Sequence, residues 1–164
     1  MTLMFRYHLR LWQIYRLWTK AQRPQTERMS RLAFRCSAAD CDLLGHMNNA
    51  RYLEFMDAGR FALLLSSGLF MAARVKDIQA VAGNISIRYR KELRRGARFE
   101  LATTIDRREG KALIFKQIFY VENKPATEAE VSILMLQHGK VIAPDVLLES
   151  LPAWPTWAQH LKAR

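Results

Sequence analysis

Ala39-Asp40-Cys41-Asp42-Leu43-Leu44-Gly45-His46-Met47-Asn48-Asn49-Ala50-Arg51-Tyr52-Leu53 lies between an alternating, strand-like run and a long apolar run. Two acids, a glycine, a histidine and two asparagines fall within it. Asparagine is a preferred helix N-cap, because its side-chain oxygen accepts one of the backbone N–H groups that a first helical turn leaves free. The spacing predicts a helix that begins at Asn48 or Asn49, with its free N–H groups directed back toward Asp42. A helix N-terminus beside a carboxylate pairs a group that polarises a carbonyl with a base or nucleophile that attacks it.

Upstream, Leu32, Phe34 and Cys36 alternate with Arg31 and Arg35, which predicts a strand over 31–37. Downstream, 49–67 is helical in pattern, and Phe61 to Leu65 is apolar without a break. A helix apolar nearly all round is buried. Gly68 supplies its stop. Gly59 inside it costs about 1 kcal/mol of helix propensity and permits a close backbone or ligand approach.

Four further strand-like runs follow, around Ile85–Arg90, Phe99–Ile105, Leu113–Val121 and Val131–Met135. Turn signals separate them at Arg95-Gly96, Glu109-Gly110-Lys111 and Asn123-Lys124-Pro125. A sheet curled around one apolar helix satisfies this order. Three parts result: an amphipathic basic helix and linker over 1–28, the sheet-and-helix domain over 29–142, and a tail expected to be helical over 143–164.

Asp40-Cys41-Asp42-x-x-Gly45-His46-Met47-Asn48-Asn49-Ala50-x-Tyr52 resembles the D-x-D-x-x-G-H-x-N-N motif of hot-dog-fold thioesterases, the broad group around 4-hydroxybenzoyl-CoA thioesterase. The longer run His46–Leu53 is most similar to the branch that contains thioesterase superfamily member six. The resemblance runs from about Arg31 to Gly139 and is densest over 40–60. It implies an α+β hot-dog fold, an antiparallel sheet wrapped around one long buried helix, here with an extra N-terminal amphipathic helix. It also implies lipid metabolism: hydrolysis of an acyl-CoA thioester to free acid and CoA, with no cofactor and no metal, by a cytoplasmic homodimer or higher homo-oligomer whose sites lie at the subunit seam.

Carried over by position, Asp42 is the acid that acts as general base or nucleophile, and the backbone N–H of Asn49 is the oxyanion donor. Gly45, Asn48, Phe55, Gly59 and Leu63 are the implied substrate-binding positions. His46 corresponds to a catalytic histidine in the D-x-N-x-H pattern of plant acyl-carrier-protein thioesterases, but Leu44 stands where that pattern has asparagine. A structural histidine that orients the loop is the competing role. The acids compete likewise, since aspartates commonly cap turns. Cys41 with His46, and a metal bound by Asp40, Asp42, His46 and Asp57, are weaker alternatives, because no metal-ligand spacing is matched.

Arg88, Arg90, Lys91, Arg94, Arg95 and Arg98 form a dense basic run. Coenzyme A carries a pyrophosphate and a ribose phosphate, which arginine binds bidentately. A solvated basic turn is the alternative. No aromatic interleaving accompanies these cations, which argues against a nucleic-acid partner.

The 164 residues allow one domain with a substantial core. The net charge is +11, and residues 1–35 hold eight of the 26 Lys and Arg against one acid, Glu27. Arg6, Arg10, Arg16 and Lys20 make a basic stripe over 3–20, with Leu11, Trp12 and Trp18 among the apolar residues beside it. That pattern fits a peripheral membrane contact, a helix docked on its own domain, or a mitochondrial presequence. A start at Met29 would omit it. The two cysteines, Cys36 and Cys41, make no disulfide framework and read as reduced thiols. Two other functions suit the sequence: a non-catalytic membrane-associated acyl- or lipid-binding module, and a thioesterase acting on acyl carrier protein.

Overall fold

The structure is a computed structural model that describes Trp12 and residues 29–149. The expected N-terminal helix, apart from Trp12, and the tail beyond Glu149 lie outside the described residues.

β1 (Met29–Arg35) leads through a 3-10 turn, Ala38–Asp40, into the motif loop and then α1 (Asn49–Ser66). α2 (Leu69–Val75) follows directly, and then come β2 (Ile78–Tyr89), β3 (Arg98–Glu109), β4 (Ala112–Val121), β5 (Lys124–Gln137), β6 (Lys140–Ile142) and a single turn, α3 (Asp145–Leu148). The sheet is antiparallel throughout, in the order β1-β3-β4-β5-β2, with β6 on β5. It curls around α1, which packs on β1, β3 and β4. This is the hot-dog arrangement that the motif implied.

Asn48 caps α1: its side-chain oxygen accepts the Ala50 N–H at 2.9 Å. The helix axis is held close to the sheet at Gly59. A Cβ there would lie 2.5 Å from Thr103 Oγ1 and 2.9 Å from Leu101 Cδ2. Beneath the same turn runs a buried polar network. Gln117 Nε2 donates to the Met56 carbonyl and to Thr103 Oγ1, each at 2.9 Å, and Arg60 donates to Gln117 Oε1 at 2.7 Å. Asp57 takes a further bond from Arg60. Arg60 is thereby neutralised where an unpaired charge would be costly. Phe34, Phe55, Phe99 and Phe119 pack as tilted and edge-on pairs at the other end of the core.

Several elements depart from the sequence expectation, the extra strand β6 among them. β2 begins at Ile78, well before the alternation around Ile85. α2 intervenes where no separate element was expected. The β4–β5 turn is Glu122-Asn123, both with positive φ, one step earlier than expected. That leaves Pro125 as the second residue of β5, where the register with β4 is irregular. Proline lacks an N–H, and a strand start beside a bulge tolerates the loss. Among the described residues, no single helix is long and apolar enough to cross a membrane.

Candidate active site

The loop before α1 is built by its two aspartates, which do different things. Asp40 is buried, and its Oδ2 accepts the N–H and the hydroxyl of Ser37, at 2.8 Å for the N–H. Its own carbonyl accepts the Asn48 N–H at 2.9 Å. Asp40 thus ties the 3-10 turn to the helix start. Asp42 lies on the exposed side. Its Oδ1 accepts the N–H of Leu44 at 2.9 Å and of His46 at 3.2 Å. Asp42 is exposed, and its Oδ2 has no hydrogen-bond partner among the described residues. Gly45, with φ of +79°, lets the chain reverse, and the Asp42 N–H donates to the His46 carbonyl at 2.8 Å.

At the helix start the backbone donors can be accounted for one by one. Asn48 N–H goes to Asp40, Ala50 N–H to the Asn48 side chain, and Arg51 N–H to the Asn48 carbonyl at 2.8 Å. Among the described residues the Asn49 N–H has no partner. It is the one donor of the first turn left for a ligand, at the positive end of the helix dipole.

The loop docks on the segment after β2. Met47 N–H donates to the Leu93 carbonyl at 2.7 Å, and Arg95 N–H to the Gly45 carbonyl at 3.1 Å. His46 pairs with Arg94 as an isolated bridge, and its Nε2 lies 3.3 Å from Glu92 Oε2. Arg94 Nε donates to the same carboxylate at 2.8 Å. The hydrogen bond from Arg94, with the His46 ring nearby, holds the Glu92 carboxyl below the usual range. Arg94 and Arg95 therefore stand beside the motif. Arg90 pairs with Glu128 at 3.0 Å, whereas Arg88, Lys91 and Arg95 have no carboxylate partner among the described residues. Arg90, Lys91 and Arg94 rim a shallow depression together with Val121.

An apolar cavity of about 350 Å³ opens beside the second half of α1, where Asp57, Arg60 and Phe61 line it. Phe61, Leu64 and Phe70 wall the cavity on the helix side, and Ala80, Ala82 and Met135 on the sheet side. The small side chains of β2 leave the space. Phe55 and Leu63, the implied acyl-contact positions, are instead fully buried in the core, and Gly59 backs onto β3. The sequence missed the cavity residues because the helix is apolar on both of these faces. Asp40, Asp42, His46 and Asp57 do not gather: Ser37, the Leu44 and His46 amides, Glu92 and Arg60 respectively occupy them.

A curled antiparallel sheet around one helix, entered through a D-x-D-x-x-G-H-x-N-N loop, defines the hot-dog class. The family model of the thioesterase-like superfamily matches residues 36–160, and the chain belongs to that superfamily. Protein THEM6 of Danio rerio is 40% identical over 116 residues, covering 68% of this chain and 54% of that protein. The Escherichia coli long-chain acyl-CoA thioesterase FadM is 30% identical over 92 residues, covering 56% of this chain and 70% of that protein. The crystal structure of the probable thioesterase YbaW from Escherichia coli superposes with a TM-score of 0.66 at 25% identity, over 70% of this chain and 90% of that one. The chain spans about half the length of the vertebrate THEM6 proteins it matches, 54% and 53%.

Proposed function

We propose that the chain hydrolyses acyl-CoA thioesters to free acid and CoA. The observation that carries this is the Asn49 N–H at the start of α1, unpartnered among the described residues, on the loop whose Asp42 has one carboxylate oxygen without a partner among them. The thioester carbonyl accepts the Asn49 N–H, and the helix end stabilises the negative charge that develops on its oxygen. Asp42 Oδ2 activates the attacking water, or attacks the carbonyl itself. His46, tied to Glu92, fixes the loop against the basic turn rather than touching the thioester. Lys91, Arg94 and Arg95 take the phosphates of CoA, with Arg88 and Arg90 farther along the same edge.

The acyl chain runs along α1 past Leu53 toward the apolar cavity. From Asn49 to Asp57 is eight residues, or about 12 Å at 1.5 Å per residue. That reach favours a long aliphatic acyl group. The cavity lies at the lower end of the ligand-pocket range of about 300–1,000 Å³. A homodimer is supported by β2, which among the described residues pairs on one edge only and exposes Val81, Ile85 and Tyr89.

A panel of acyl-CoAs of graded length, read by release of the CoA thiol, tests the proposal. Hydrolysis of long-chain esters supports it. Saturable acyl-CoA binding with no thiol release on any ester would favour the lipid-binding module instead. Release only from acyl carrier protein would move the substrate class.

A further inference from the structure

Cys36 and Cys41 meet at the foot of the loop that carries Asp42. Their Sγ atoms lie 3.5 Å apart. Cys36 is buried at the end of the first strand region, and Cys41 is half-buried. Cys41 Sγ lies 3.4 Å from the Ser37 carbonyl, and Cys36 Sγ 4.0 Å from the same oxygen. The backbone of Cys36 is pinned on both sides, donating to Ala97 at 2.9 Å and accepting from Gly96 at 2.7 Å. Cys41 forms the neck of the motif loop through its bridge with Met47.

We infer that Cys36 and Cys41 are a reversible dithiol–disulfide pair, oxidised by a hydroperoxide, and that the bond tightens the neck of the Asp42 loop. The half-buried Cys41 reacts first. Its sulfur takes the terminal oxygen of the hydroperoxide, which leaves as the alcohol, or as water from hydrogen peroxide, and Cys41 becomes a sulfenic acid. Cys36 then attacks the Cys41 sulfur, the S–S bond forms, and the hydroxyl departs as water with the Cys36 proton. The two sulfurs together give up two electrons, and the peroxide accepts them.

A disulfide is about 2.05 Å long, so the contact closes by roughly 1.5 Å. Cys36 is held by its backbone bonds to the turn before β3, so the movement falls on Cys41. Asp42 is the next residue, and its Oδ1 holds the amides of Leu44 and His46. The pull is therefore felt at the carboxylate and across the loop.

The test treats the full chain with hydrogen peroxide and then alkylates it under denaturing conditions. Trypsin cuts after Arg35 and Arg51, so both cysteines fall in one peptide, 36–51. That peptide should lose two hydrogen atoms and resist alkylation, and dithiothreitol should restore both thiols. Amide hydrogen exchange at Leu44 and His46 should slow in the oxidised protein. Cys36→Ala and Cys41→Ser should show neither change. On an acyl-CoA that the reduced protein hydrolyses, oxidation should lower turnover about tenfold, since small misplacements of reacting groups are costly. A peptide with two alkylatable thiols, or with over-oxidised sulfurs and no link, overturns the pair. A linked peptide with unchanged loop exchange overturns the coupling to Asp42. Mass and exchange do not depend on hydrolysis, so a protein that cleaves no thioester leaves both readable.

Discussion

Asp42 Oδ1 accepts the backbone N–H of His46 at 3.2 Å, so the acid before the glycine and the histidine after it are joined through the main chain. The carboxylate shapes the loop with one oxygen and presents the other. Asp42→Asn retains a side-chain carbonyl for those two amides and removes the charge. Turnover should fall by roughly 10²-fold or more, the scale for loss of a general base, with little change in thermal midpoint. Activity within about threefold of the parent on a proven ester would take Asp42 out of the chemistry.

Lys91 and Arg95 are the cations near the motif that no acid neutralises among the described residues. Reversing both to glutamate should raise KM for CoA esters far more than it lowers kcat, because phosphates bound away from the carbonyl contribute equally in the ground and transition states. Pantetheine esters, which lack the nucleotide, are the comparison. Equal losses on both substrates would count against phosphate recognition.

Ala82 lines the cavity from the sheet side. Ala82→Phe fills space that a distal acyl tail would occupy. Hydrolysis of a sixteen-carbon ester should drop while a four-carbon ester is handled as before. A uniform effect on both lengths would place the tail elsewhere.

Gly59→Ala trades a favourable helix propensity of about 1 kcal/mol against a Cβ pressed on Thr103 and Leu101. Those side chains are buried and Thr103 is hydrogen-bonded to Gln117, so neither yields freely. Overpacking of this kind costs about 1–3 kcal/mol, and the net effect should be a Tm lower by several degrees. A melt that is unchanged or higher would mean that the helix can lift off the sheet.

Burial raises the Tyr52 hydroxyl above its ordinary value, with the nearby Thr127 side chain and Leu93 backbone opposing the shift. Tyr89, stacked on it edge-on, is raised by burial as well. In the folded chain these phenols keep their protons at pH values where the unfolded chain, near about 10, has begun to lose them. The unfolded state then binds fewer protons, so stability falls as pH rises through that value. Urea midpoints between pH 9 and 11 should show this slope, and Tyr52→Phe should flatten it. An identical slope in the variant would assign the alkaline loss to other groups.

The loop was readable from sequence because everything that shapes it is local. Asn48 caps its own helix, Asp42 folds its own turn, and Gly45 reverses its own chain. The contacts that complete the site are not local. Arg95 meets Gly45 only because β2 returns beside the loop. The first half of β2 carried little signal, since Gln79, Ala80, Ala82 and Gly83 have weak strand preference, and β5 supplies the ladder that makes them a strand. The helix hid its orientation for a different reason. Phe55 and Leu63 look as apolar in sequence as Phe61 and Leu64, yet the first pair fills the core and the second borders a cavity.

β2, finally, closes the sheet with one side of its backbone unmatched among the described residues. Such a border is an open valence, and another strand is its natural complement. If a second copy pairs there, as the proposed homodimer requires, the activity of this chain carries a concentration scale of its own. Diluting it would unpair the border and strip whatever the neighbouring copy lends to the cleft, while the motif loop stayed as it is. Specific activity that decays on dilution, with circular dichroism held constant, would measure that scale directly.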